Sequence, residues 1–352
     1  MNEELYKALA DLEKEKGISA DYMIERLRQA MTAAYNREYQ TADAVVEFDV
    51  DKQAKTIEMY VLKTVADPVE VPALELSRDE AYAAGASAAE PGDTVRVELD
   101  TRKFGRIAAQ TAKQVIIQGI RESERGAAYQ EYSSKEHEML TAVVSRVDMR
   151  SGNVFLELKG ARGEDQTLVL PPSEQIRGED LREGDYVKVF LIGVHKGPKG
   201  VQIQISRTHP GLVRRLFETE VPEIFDGVVE IMSVSREAGS RTKIAVRSND
   251  ANVDPIGACV GPKGARVGAV VKELRGEKID IVKYSDDPCE YASAALAPAE
   301  VVDAFEIPEE KCCRIVVPDD QLSLAIGREG QNARLAARLT GLKIDIKPRS
   351  QA

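Results

Sequence analysis

Val260-Gly261-Pro262-Lys263-Gly264 and Ile326-Gly327-Arg328-Glu329-Gly330 stand 66 residues apart, and the stretches Lys278-Ile279-Asp280-Ile281 and Lys343-Ile344-Asp345-Ile346 stand 65 apart. The C-terminal part of the chain is therefore a duplicated unit. Each copy reads helix, strand, strand, helix, Gly-x-x-Gly, helix, strand. In the first copy residues 211–217 open as a helix, and 228–235 and 242–247 are strands. In the second copy residues 291–296 open, and Cys312–Val317 is the clearest strand. Two glycines between helices let the backbone approach a ligand without Cβ clashes. The loop amides and the following helix N-terminus then face an anion such as phosphate. Lys263 and Arg328 supply a cation at each loop, and Ile256 with Val260, or Leu322, Ala325 and Ile326, supply an apolar groove floor.

The tetrapeptide alone is weak. Gly197-Pro198-Lys199-Gly200 repeats the letters of residues 261–264 between two predicted strands, where it reads as a hairpin turn, and residues 160–163 form another Gly-x-x-Gly in a turn. The paired occurrence inside a duplicated unit is strong. It follows the logic of the KH module, which clamps about four nucleotides of single strand. The competing reading makes both loops plain helix–helix turns. Glu329 repels phosphate beside Arg328, so the first loop is expected to be the more cationic clamp. Gln331, Asn332, Arg334 and Arg338 are further donors, although the two arginines also read as a solvated helix face.

Upstream, five short strands are predicted at Met139–Val147, 153–158, 166–170, 186–194 and 201–206, with turns between them. Five strands in so short a span fit a small OB-type barrel, a fold that carries oligonucleotides. Phe155, Tyr186, Phe190 and His195 are candidate stacking groups, while Phe155 and Phe190 taken singly read first as barrel filling. Residues 3–39 have helical periodicity broken at Gly17, with Ser19 or Asp21 as cap. Residues 44–65 alternate as a strand pair, another strand follows Gly92-Asp93, and residues 106–132 return to helix. The first domain is thus α+β, and its carboxylates, Asp43, Glu47, Asp49, Asp51 and Glu58, read as a solvated face and not a metal cluster.

The net charge of −11 is unevenly spread. Residues 1–135 carry 18 basic and 25 acidic side chains, whereas residues 207–284 carry 13 and 11. An acidic front suits protein docking, and the mildly basic third quarter suits local contact with a few phosphates. Four cysteines without a CxxC pair and three dispersed histidines predict a reduced protein that needs no metal or cofactor. Short apolar runs and an acidic N-terminus predict neither membrane span nor signal peptide, and hence a cytoplasmic protein, expected to be a monomer.

Taken in order, these modules resemble the NusA family of bacterial transcription elongation and termination factors over nearly the whole chain. The resemblance rests on residues 103–114 (KFGRIAAQTAKQ), 205–212 (ISRTHPGL), 217–224 (FETEVPEI) and 254–261 (DPIGACVG). It implies a multidomain α+β chain: an RNA-polymerase-binding domain at 1–135, an S1 (OB-fold) barrel at 136–206, and two tandem KH domains of the prokaryotic type (type II) at 207–284 and 285–352. It also implies binding of RNA polymerase and nascent single-stranded RNA, modulation of pausing and intrinsic termination, and assembly with other antitermination factors. By motif match, the RNA-contacting residues are Gly261, Pro262, Lys263, Gly264 and Arg266, with Gly327, Arg328, Glu329, Gly330, Gln331 and Arg334. Short junctions near Ser206 and Ser285 predict a stiff array. Two other readings stay open: a general or ribosome-associated RNA binder without polymerase contact, and an RNA-processing enzyme, against which the missing catalytic constellation argues.

Overall fold

The computed structural model describes residues 2–51, 53–99, 101–159, 165–197, 200–307 and 311–351. The chain forms two compact units, Met1–Gln130 and Glu131–Ala352. Among the described residues no helix is long and apolar enough to cross a membrane.

The first unit begins with α1 (Asn2–Lys16) and α2 (Ala20–Glu38), followed by β1 (Val45–Asp51) and β2 (Thr56–Val65). Then come β3 (Glu75–Leu76), α3 (Arg78–Ala83), β4 (Thr94–Glu98) and α4 (Thr101–Ser133). β2 pairs antiparallel with β1 and β4 and parallel with the short β3. Asp51 accepts hydrogen bonds from the amides of Gln53 and Ala54 and so shapes the predicted turn. Met23, Leu27 and Ile57 pack with Val115, Ile116 and Ile120, which seats α4 on α2. A Cβ on Gly119 would stand 2.6 Å from the Met23 sulfur, so a larger residue there would push the end of that side chain aside. Ser19 occupies the α2 cap position but its side chain makes no capping bond. α3, which the periodicity did not reveal, starts with a capping box between Ser77 and Glu80. The side chains of Leu5, Ile107, Ala108 and Ala112, counted in the predicted helical faces, lie outside the described residues, as do Lys52 and residues 160–163.

The second unit starts with a barrel of β5 (Met139–Val147), β6 (Val154–Lys159), β7 (Asp165–Leu170), β8 (Tyr186–Gly197) and β9 (Gly200–Ser206). Its antiparallel order is β7-β6-β5-β8-β9, and β7 approaches β9 so that the sheet nearly closes. Register shifts at Val144/Arg146 and Leu191/Gly193 bend the strands for that closure. Gly197 pairs with Gly200 across the β8–β9 hairpin, as predicted, with Pro198 and Lys199 outside the described residues.

Two copies of one α/β unit follow. The first comprises α5 (Pro210–Glu220), α6 (Pro222–Phe225), β10 (Val229–Glu237), β11 (Arg241–Ser248), α7 (Pro255–Val260), α8 (Ala265–Glu273) and β12 (Lys278–Lys283). The second comprises α9 (Pro288–Ala295), β13 (Asp303–Ile307), β14 (Cys312–Val317), α10 (Leu322–Ile326), α11 (Gln331–Thr340) and β15 (Lys343–Pro348). In each copy the middle strand pairs antiparallel with the strand before it and parallel with the Lys-Ile-Asp-Ile strand. This is the arrangement expected of the prokaryotic-type KH fold.

Candidate nucleic-acid interface

The two Gly-x-x-Gly loops join α7 to α8 and α10 to α11 with nearly the same backbone. Gly261, Lys263 and Gly264 have φ of 73°, 53° and 76°, and Gly327, Glu329 and Gly330 have 76°, 53° and 74°. Each loop is closed by the amide of its last glycine donating to the carbonyl of its first, at 3.1 Å in both. Lys263 and Glu329, neither of them glycine, therefore hold the left-handed conformation at equivalent positions, an arrangement that costs free energy and collects at ligand-binding sites. Asp254 caps α7 by accepting from the amides of Ile256 and Gly257, which orients the segment entering the first loop.

Pro262 and Lys263 are exposed at the first tip, and the side chains of Arg328 and Glu329 are 93% and 84% exposed at the second. The Arg328 guanidinium lies 3.9 Å from the Glu329 carboxylate, so the second tip carries an internally compensated pair where the first carries a lysine.

The helix-side candidates are engaged within the protein. Arg266 donates to the Glu223 carboxylate at 2.8 Å and to the Ala258 carbonyl at 2.6 Å. At the equivalent place in the second copy, Asn332 is only 3% exposed and donates to the carbonyls of Leu296 (2.9 Å) and Ala325 (3.0 Å). Asn332, expected as an RNA donor, is instead part of the interior. Both residues lie directly under their loop's first glycine. A Cβ on Gly261 would come within 2.6 Å of the Arg266 side chain, and one on Gly327 within 2.8 Å of Asn332. The first glycine of each motif is thus required by the side chain beneath it as well as by its dihedral angle. Gln331 donates to the Glu237 carboxylate and to the Ser240 hydroxyl, both at 2.8 Å. Arg334 donates to Glu237 at 2.8 Å and to the Glu329 carbonyl at 3.2 Å. The bond from Arg334, then that from Gln331, holds the Glu237 carboxyl below its usual range.

Of the predicted groove floor, Ile256, Val260 and Leu322 are half-buried and Ile326 is exposed, whereas Ala325 is fully buried in the second core. Leu324, not anticipated, is exposed on the same short helix. The aspartates of the repeated strands are neutralised from the middle strand. Asp280 accepts from Arg241 and Lys243, and Asp345 from Arg314. Burial pushes Asp280 upward, yet these bonds outweigh it and leave the carboxyl below its ordinary value.

In the barrel, Phe190 is buried and stacks on His209 with centroids 4.7 Å apart, packing into the first KH core. Phe155 is half-buried under the Arg146 guanidinium, 4.2 Å from its centroid. Tyr186 and His195 face solvent. All four cysteines are free, and burial pushes the thiols of Cys259 and Cys313 up to about 12, with the Cys289 contact adding to the latter.

One junction residue was not singled out by sequence reasoning. The side chains of Arg207 and Glu179 are each 1% exposed and form a two-bond ion pair of 2.6 and 2.8 Å. Arg207 also donates to the Lys188 carbonyl and to both the carbonyl and carboxylate of Glu273, so one guanidinium joins barrel to first KH unit. Its neighbours contribute as well. Ser206 accepts from the amides of Thr208 and His209, and His209 Nδ1 accepts from the Gly211 amide to cap α5. A Cβ on Gly211 would strike the Phe190 ring at 2.4 Å.

Comparison with known proteins matches three family models: the NusA N-terminal domain over residues 4–126, the NusA-like first KH domain over 207–284, and the NusA-like second KH domain over 288–352. The transcription termination/antitermination protein NusA of Bacillus subtilis is 49% identical over 352 residues, all of this chain and 92% of that protein. The protein of the same name from Thermus thermophilus is 41% identical over 356 residues, covering 99% of this chain and 90% of its own. Among solved structures, the N-terminal domain of NUSA from B. subtilis is 42% identical, covers 36% of this chain and 99% of that one, and has a TM-score of 0.28.

Proposed function

Since the chain belongs to the NusA family of transcription termination/antitermination proteins, we propose that it docks on RNA polymerase through residues 1–135 and holds emerging single-stranded RNA on the barrel and the two KH units. It acts there by binding, without bond-making chemistry of its own, as a cytoplasmic monomer that modulates pausing, intrinsic termination and antitermination alongside other factors. One observation carries the RNA reading: two Gly-x-x-Gly loops of the same backbone conformation, each ahead of a helix, both within one compact unit. Loop amides and the helix N-terminus offer donors to phosphate, and the exposed Lys263 and Arg328 add charge. The free cysteines fit a reducing compartment.

The test is the lifetime of a hairpin-dependent pause made by the cognate polymerase. The full chain lengthens it, and a fragment beginning at Glu136, which lacks residues 1–135, does not. In parallel, Pro262→Asp with Lys263→Asp, and Arg328→Asp, weaken binding of labelled RNA while the fold stays intact, and the RNA remains uncut in magnesium. Equal pausing by chain and fragment, or equal RNA affinity of the variants, overturns the assignment.

A further inference from the structure

The β10–β11 turn, residues 237–240, is a place where three modules meet. Gly239, in a left-handed conformation, lies against the barrel: a Cβ there would stand 3.0 Å from Ile176 and 3.2 Å from the Arg177 carbonyl. Its amide donates to Glu277 of the first KH unit at 2.8 Å, and Glu277 is paired by two bonds with Arg236, both side chains fully buried. From the second KH unit, Gln331 reaches both ends of the turn, at Glu237 and Ser240, and Arg334 joins Glu237. Arg334 also donates to the carbonyl of Glu329, inside the second Gly-x-x-Gly loop. A carboxylate of one KH unit is therefore two hydrogen bonds from the ligand loop of the other.

We propose that this turn is a positional coupler and that Glu237, acting through Arg334, sets the second loop relative to the first so that one RNA engages both. Glu237 is a positioning residue and does not itself touch RNA. The inference rests on the RNA-clamp reading of the two loops. Bivalent binding gains from a preset spacing, because the second contact becomes intramolecular, and the gain shrinks when the spacing is left free. Partly exposed ion pairs add little to folding stability, so the network's effect is on placement.

The experiment measures binding of fluorescent oligoadenylates of increasing length to the full chain, beginning at about four nucleotides, the length one loop grips. Affinity steps upward once the RNA reaches both loops. Glu237→Ala leaves the short-RNA affinity and the melting temperature in place and reduces that step by about tenfold. Glu237→Gln, whose amide oxygen still accepts from Arg334 and whose amide nitrogen can donate to a turned Gln331 side chain, retains most of it. A step that persists in Glu237→Ala, or no step in the parent chain, overturns the coupling. Lys263→Glu separates the two ideas, since short-RNA binding indifferent to it removes the clamp reading itself.

Discussion

Lys263 and Glu329 share φ and ψ of 53° and 26° and differ by two units of charge. The same loop geometry is thereby presented once with a free cation and once with a compensated pair. Replacing Glu329 with Lys makes the second tip like the first. RNA affinity should then rise about five- to tenfold at low ionic strength, with the gain fading as salt screens it. Anisotropy titrations at two salt concentrations check this, and unchanged affinity at both excludes phosphate from that tip. The charge contrast was legible in the letters alone. The engagement of Arg266, Gln331 and Arg334 was not, because a helix pattern says which face a side chain takes and not which acceptor lies within its reach.

At the scale of elements, the helix that opens the first KH unit begins at a cap that titrates. His209 Nδ1 accepts from the Gly211 amide, so protonation there cancels the bond. Burial lowers the His209 pKa most, Glu174 opposes this, and His137 and Arg236 lower it further. A folded pKa below the unfolded value of about 6.5 means that the contribution is complete above that pH and declines as the pH falls below it. His209→Asn keeps a cap acceptor that does not titrate. Its melting temperature should fall less than the parent's on acidification below that value, by about 1–2 °C. Parallel acid slopes for both proteins would remove His209 from the account. Strand positions were largely readable from alternation, and β14 coincides with its expectation, Cys312–Val317. β11 was misleading in one respect. Its letters, Arg-Thr-Lys-Ile-Ala-Val-Arg, include a lysine and a threonine, polar types usually found at the surface, yet Thr242 through Val246 are all buried, Lys243 included.

The reason lies at the scale of the whole second unit. The first KH sheet is covered by the second KH unit: Ala245 and Val282 share a core with Tyr291, Ala292 and Leu339. Ser233 donates across that seam to the Leu339 carbonyl, which also accepts from Tyr291 of its own unit. Lys243 survives burial by donating to Asp280 and to the Ala297 carbonyl, although burial lowers its pKa. On the other side, Arg207 joins the barrel to the same KH unit. Arg207→Ala leaves the buried Glu179 carboxylate, among the described residues, with the more distant Arg275 alone, and should cost about 3–5 kcal/mol in denaturant unfolding. Arg207→Met with Glu179→Leu, which removes both charges, should recover most of that loss. A double variant as weak as the single one would point to the carbonyl contacts of Arg207 instead.

Length, periodicity and the repeated loops were enough to specify an α+β front, a five-stranded barrel and two KH units, because each is encoded by local patterns with periods of 2 and 3.6. The short junctions near Ser206 and Ser285 led to the expectation of a stiff array. Only the tertiary structure decided which contacts span those junctions: Arg207, the turn at 237–240 and a core continuous between the KH units. Those contacts join residues far apart in sequence, and the burial they impose on Lys243, Asn332 and Phe190 depends on what packs against them. A one-dimensional pattern carries a residue's polarity and spacing, but not the identity of its distant neighbour.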